Sequence, residues 1–164
     1  DTSGLLVVAR NSKALAALGE AFKSRHVTKE YHAVVKGHPP LQGTLTGDIG
    51  RHPVNRHMMC VGGIAPRNAH TNFEVLSYYT EPAALLKISI LTGRTHQIRV
   101  HCAAEGFPVM GDATYGTATH LIRRQALHAH TLSFKYDGRE YSYQAPYPED
   151  FAALLTRLTI AESE

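Results

Sequence analysis

Arg99 is the side chain of this 164-residue chain best placed to hold a positive charge inside a fold. It stands in the run Gly93-Arg94-Thr95-His96-Gln97-Ile98-Arg99-Val100-His101, on a predicted helix that also carries Ile98, Val100 and Cys102. Those apolar neighbours draw the helix against a core, so the guanidinium is expected to be partly buried. An arginine so placed stays ionised and can grip a carboxylate at two points. The plainer alternative is a surface arginine pairing with Glu105 or a loop carboxylate. Arg94, Thr95, His96 and Gln97 fall at the helix start, where unpaired N–H groups and the helix dipole suit phosphate oxygens. Capping by Thr95 alone is the competing role. Arg51, His52, Arg56 and His57 form a basic cluster in a loop, and Arg67 follows. Loops carry binding residues disproportionately, so this cluster either touches backbone phosphate or is simply solvated. Tyr31, in Lys29-Glu30-Tyr31, is by residue type alone a half-buried strand tyrosine.

Other chemistries find less support. His96 and His101 are five apart, and His128 and His130 alternate along a predicted strand. Neither spacing matches the i, i+4 histidine pair with an intervening glutamate that a helical zinc site uses. Cys60 and Cys102 stand 42 residues apart and complete no such site. No metal is expected. Gly62-Gly63 is too short to cradle a phosphate chain, and no G-x-x-x-x-G-K followed by Ser or Thr occurs, so no nucleotide cofactor is expected either.

The elements that must position these residues can be placed by period. Leu5 to Ala9 is a strand-length apolar run, predicted to be buried. Asn11 or Ser12 offers an N-cap, and Leu15, Leu18 and Phe22 then share one helical stripe, with the helix ending near Ser24 to His26. Thr28 to Lys36 alternates as a strand, putting Tyr31, Ala33 and Val35 on one face. Residues 43 to 68 hold five Gly and two Pro and are predicted to form short strands and loops. Thr71 to Tyr79 and Ala84 to Leu91 are predicted strands, and Arg94 to Glu105 a short helix stopped by Gly106 and Pro108. Gly106 to Gly116 is predicted loop. Leu127 to Tyr136 and Glu140 to Gln144 form a hairpin about Asp137-Gly138. A last helix starts at Pro148, Glu149 and Asp150, with Phe151, Leu154, Leu155 and Leu158 inward. Strands dominate and helices are few, which favours α+β with a largely antiparallel sheet over a doubly wound parallel sheet.

Composition narrows the class further. The length suits one domain, and an apolar share of 43% supports a core. No run approaches the roughly 20 apolar residues of a membrane helix, so no membrane partner is expected. Two cysteines without a C-x-x-C pairing suggest a reducing compartment. The net charge of +3 permits an RNA partner without demanding one.

Five blocks, in this order, carry a resemblance: Asp1-Thr2-Ser3-Gly4-Leu5-Leu6-Val7-Val8-Ala9, Lys29-Glu30-Tyr31, Gly93 to His101, Gly106-Phe107-Pro108-Val109-Met110-Gly111-Asp112, and Gln125-Ala126-Leu127-His128-Ala129. They resemble the R-L-D-x-x-T-S-G, K-x-Y, G-R-T-H-Q-I-R, G-x-P-x-x-G-D and L-H-A motifs of the RluA-type pseudouridine synthases, which isomerise uridine within RNA. The resemblance spans Asp1 to about Phe151. It implies one catalytic-core domain over residues 1–164, with a mixed, largely antiparallel central sheet, a few flanking helices and an active cleft across the middle. It implies an rRNA or tRNA substrate, no cofactor, a cytoplasmic location and a monomer. Arg99 matches the family's active-site arginine, which pairs with the nucleophilic aspartate. Tyr31 matches the tyrosine that stacks on the target base and is proposed to move the C5 proton. Thr2, Ser3 and Gly4 would shape the turn presenting the nucleophile, or merely cap backbone groups there. The aspartate itself would stand two residues before Asp1, so a polypeptide of these residues alone is expected to be inactive. The alternative is a non-catalytic RNA-binding module on the same scaffold.

Overall fold

The computed structural model describes residues 1–24 and 26–159. Among them, strands rich in apolar and β-branched residues build one seven-stranded sheet. The strands are β1 (Ser3–Gly4), β2 (Val27–Lys36), β3 (Gln42–Leu45), β7 (Thr71–Tyr79), β8 (Ala83–Ile90), β9 (Leu127–Tyr136) and β10 (Arg139–Gln144). Their order is β1-β9-β2-β8-β7-β3, with β10 also paired to β9. Every pairing is antiparallel except β1 with β9. Three short strands, β4 (Ile49–Arg51), β5 (Met59–Val61) and β6 (Ile64–Arg67), form a separate sheet in the order β5-β4-β6. Helices are α1 (Ser12–Lys23), α2 (Gln97–Ala104) and α3 (Glu149–Arg157). The α+β class and largely antiparallel sheet match the sequence expectation.

His32 to Val35 on β2 are all buried, as a strand covered on both faces must be. Ala33, Val34, Leu86 and Ile88 of the central strands, Ile98 and Cys102 of α2, and Phe151 and Leu154 of α3 join one continuous core. The β9–β10 turn places Asp137 and Gly138 at positive φ (50° and 74°), the geometry that Asp-Gly selects. The helix predicted from Asn11 is present. Asn11 Oδ1 accepts the Ala14 N–H at 2.8 Å, and the helix is assigned to Lys23; Arg25, within the expected end, lies outside the described residues. The domain expectation likewise runs beyond them at residues 160–164.

Two expectations fail. Leu5 to Ala9 is not a buried strand: the ladder is confined to Ser3–Gly4, and Leu6 and Val8 are 84% and 71% exposed. One more hydrogen bond, Leu5 N–H to the Ala129 carbonyl at 3.0 Å, closes the pairing. Beyond it no strand of the described residues lies alongside, and apolar composition alone cannot supply a partner. The α1 stripe is also only partly inward, since Leu18 is buried while Leu15 is 65% exposed.

Candidate active site

Gly4 fixes the entrance to the site. It sits at φ +101°, and a Cβ there would stand 2.1 Å from the Ala129 carbonyl oxygen, so only glycine lets β1 lie this close to β9. The same pairing sets Thr2, Ser3 and Gly4 on the rim of a cavity of about 420 Å³, within the usual range for small-ligand sites of roughly 300–1,000 Å³. Tyr31, Arg94, His96 and Arg99 line the same cavity. The β2–β9 register slips beside Tyr31, between Glu30 and Tyr31. Bulges of this kind re-aim side chains, and they recur next to active sites.

Arg99 does not pair with Glu105. Its Nε donates to Asp112 Oδ2 at 2.7 Å and its Nη2 to Asp112 Oδ1 at 2.8 Å, a two-point grip. The side chains are 11% and 0% exposed, so Arg99 is not a surface residue, although its partner is a loop carboxylate, as the plainer alternative allowed. Asp112 Oδ1 also accepts the Thr114 and Tyr115 N–H groups at 3.0 and 3.1 Å. Gly111, at φ +76° and with room for no Cβ against the Arg124 carbonyl, turns the chain into this position. Burial alone would raise the Asp112 pKa, but Arg99 and the two N–H groups outweigh it and hold the carboxyl below its ordinary range. Arg99 is raised in turn, chiefly through the Asp112 hydrogen bonds. Its Nη1 makes no hydrogen bond within the described residues, and Arg99 is one of the residues that line the cavity.

Tyr115 supports this arrangement from below. Its ring lies 4.9 Å from the Arg99 guanidinium carbon, a cation–π contact. Its hydroxyl accepts the Met59 N–H at 2.9 Å and so directs its own proton to His96 Nδ1 at 2.8 Å. His96 has a left-handed backbone (φ 57°), which that contact helps to hold. Burial, followed by the Arg99 charge, lowers the His96 pKa, keeping the ring neutral. Tyr31 keeps its phenol protonated as well, since burial raises its pKa.

The helix-start expectation needs correction. Helix α2 begins at Gln97, so Arg94, Thr95 and His96 precede it, and neither Thr95 nor His96 provides a side-chain cap. Gln97 organises the turn instead: its Oε1 accepts Thr92 Oγ1–H at 2.7 Å and Arg94 N–H at 3.0 Å. Arg94 and His96 still reach the cavity, whereas Thr95 is exposed and is not among its lining residues. Arg51 and Arg56 are elsewhere, on and beside the three-stranded sheet, where Arg51 Nη1 donates to the Arg56 carbonyl at 2.5 Å.

Three contributors escaped sequence reasoning. Asp112 was visible within its G-D motif but without a partner. Tyr115 carried no signal. Arg124 ties the entrance to α3: it grips Asp150 at 2.7 and 2.8 Å, and donates to the Asp1 carbonyl at 3.0 Å and Ser3 Oγ at 3.1 Å. Ser3 then donates to His128 Nδ1 at 2.9 Å. Behind Tyr31, on the other side of β2, His32 stacks on His130 at 4.1 Å and approaches Glu30 at 3.2 Å. Glu30, His32 and His130 each bring one potential ligand atom within 4.8 Å of the others, a grouping of adjacent strands that sequence spacing could not reveal. His101 is structural: buried, it accepts the Thr71 hydroxyl at 2.8 Å and donates to the Gly47 carbonyl at 2.7 Å. Cys102 is no nucleophile, since burial pushes its thiol pKa up to about 12.

A family model described as RNA pseudouridylate synthase matches residues 1–104. An uncharacterized RNA pseudouridine synthase of Mycobacterium tuberculosis is 42% identical over 157 residues, covering 91% of this chain and 50% of that protein. The ribosomal large subunit pseudouridine synthase D of Nitrosomonas europaea is 40% identical over 166 residues, covering 94% and 48%. The chain thus spans about half the length of the curated relatives it matches. Among solved structures, human RNA pseudouridylate synthase domain containing 1 superposes with a TM-score of 0.80 at 32% identity, covering 94% of this chain and 68% of that one. Human RNA pseudouridylate synthase domain containing 4, at 22% identity and a TM-score of 0.73 over 94% and 70%, shares the fold.

Proposed function

The chain belongs to the RNA pseudouridylate synthase family, and we propose that it forms the core of an enzyme converting uridine to pseudouridine in structured RNA. Relatives named for the ribosomal large subunit favour rRNA over tRNA as the substrate. The enzyme acts as a monomer in the cytoplasm, with residues 1–164 as one catalytic-core unit. No helix of the described residues is long and apolar enough to cross a membrane.

The isomerisation breaks the bond from C1′ to N1, rotates the base and rejoins it through C5. It is redox-neutral and needs no cofactor. The base must first leave the stack, because these atoms are shielded within it. A carboxylate then assists cleavage of the glycosidic bond, as in glycosidases. Among the described residues no carboxylate lines the cavity, and Asp112 is fully engaged. The resemblance assigns that role to the aspartate of the R-L-D segment, two residues before Asp1, beside the rim formed by Thr2. Arg99 keeps this carboxylate ionised and aimed, while Asp112 fixes the guanidinium. Tyr31 carries the everted uracil on its ring, and its neutral phenol serves the proton at C5. Thr2, Arg94 and His96 hold the ribose and phosphates at the cavity, and Thr95, Arg51 and Arg56, outside it, contact more distant phosphates.

The observation carrying this proposal is that Tyr31, Arg99 and Thr2 open on one cavity. The test is pseudouridine formation, by tritium release from C5, in a chain extended through the R-L-D segment. Arg99→Ala should abolish product while RNA still binds, and Arg99→Lys should also fail, because an ammonium cannot reproduce the planar grip. The 164 residues alone should form none. Near-normal turnover in Arg99→Ala removes Arg99 from catalysis. RNA binding without product from any extended chain returns the protein to the binding-module alternative.

A further inference from the structure

A second depression adjoins the cavity. It measures about 610 Å³, and Ile90 and Arg94 line both. Four cations reach it from separate parts of the chain: Lys23 at the end of α1, Lys29 on β2, Arg67 at the end of β6, and Arg94 before α2. No carboxylate of the described residues lines it. Among the described residues, the ion pairs engage Lys87, Arg99, Arg124 and His32, and none of these four. Lys29 is held within the wall: its ammonium lies 5.2 Å from the Phe22 ring centre and 3.3 Å from where a Cβ on Gly93 would stand. A side chain at Gly93 would crowd this ammonium.

We infer that this groove carries the ribose-phosphate backbone of the nucleotides flanking the target uridine on one side, in single-stranded form. The inference rests on the cavity taking a uridine of RNA. Convergent cations without an acidic partner leave a field that an anion must complete, and their spread along the groove suits repeated phosphates better than one isolated anion. Burial lowers the Lys29 pKa, the mark of a cation lacking a counter-charge. Continuity at Arg94 and Ile90 lets one strand place an everted base beside Tyr31 while its neighbours enter the groove. Phe22 and Leu91, 39% and 45% exposed, give that groove an apolar rim against which unpaired bases can lie.

The test is fluorescence anisotropy of the chain with a labelled oligouridylate of about 12 nucleotides, over roughly 50 to 300 mM KCl. Each phosphate contact on a single strand contributes about 0.7 to the slope of log K against log salt. The double variant Lys23→Ala/Arg67→Ala should therefore flatten the slope by about 1.4. Lys23→Arg/Arg67→Lys, which keeps both charges, should retain it, and so should Lys135→Ala/Arg139→Ala on the β9–β10 hairpin. Lys23 and Arg67 are exposed, so the fold should survive, with unchanged thermal melting as the check. An unchanged slope in the groove variant, or equal flattening in the hairpin variant, overturns the groove while leaving RNA as substrate. A wild-type chain with no affinity for the oligomer at the lowest salt overturns both.

Discussion

Asp112→Asn is the most searching perturbation of the site, because it preserves shape and removes charge. The asparagine carbonyl can keep the Thr114 and Tyr115 N–H groups, both of which donate to Oδ1. Its amide then faces the Arg99 Nε–H that Oδ2 accepts at 2.7 Å, donor against donor. Removing one partner of a buried ion pair costs roughly 3–5 kcal/mol. Arg99 lines the cavity and its Tyr115 contact survives, so the expected cost is about 3 kcal/mol, at the lower end of that range. For a domain of this size each kcal/mol lowers Tm by roughly 2–4 °C, which gives a fall of about 6–12 °C. Circular dichroism melts measure it, and urea titration should show a lower midpoint at unchanged slope. A cycle with Arg99→Gln should find the double variant at least about 1 kcal/mol more stable than the sum of the singles. A Tm within about 2 °C of wild type, or simple additivity, would refute the claim that Asp112 holds Arg99 in place.

Two further outcomes follow from the same geometry. Gly4→Ala should destabilise the fold and loosen the rim at Thr2, since its Cβ would collide with the Ala129 carbonyl at 2.1 Å; hydrogen exchange at Leu5 should accelerate, and unchanged protection there would argue against the close approach. Stability should fall on acidification from about pH 7.5 to 5.5. His32, His96 and His128 all titrate below their ordinary 6.5, with burial the leading cause. Their neutral forms therefore stabilise the fold above about pH 6.5, and that contribution is lost as the pH falls below it. Asp112, held below 3.8, remains ionised across this window and cannot produce the loss. A flat or rising urea midpoint on acidification contradicts the histidine assignment.

Much of the scaffold was legible because its signals are local. The strand around Ala33 follows from alternation, that around Leu86 from its apolar and β-branched residues, the hairpin from Asp137-Gly138, and α1 from Asn11. Arg99 and Tyr31 were found through motif context, which encodes a shared cavity without showing its walls. What escaped depends on contacts between distant segments. The partner of Arg99 is 13 residues away around a loop, and Arg124 reaches Ser3 across 121 residues. Leu5 to Ala9 misled because apolar residues announce a strand whether or not another strand lies alongside.

The parallel pairing of Ser3 with His128 and Gly4 with Ala129 sets a timetable for synthesis. Ser3 and Gly4 have no place in the sheet until β9 has left the ribosome, more than 120 residues later. Arg124 can close its clasp only once Asp150 has followed. Closing so long a loop costs entropy before any contact returns it, so this corner of the fold belongs among the last to form. A nascent chain can already have paired β2, β8 and β7 and still lack a finished rim. A finished rim is thereby deferred until β9 and α3 have both been made.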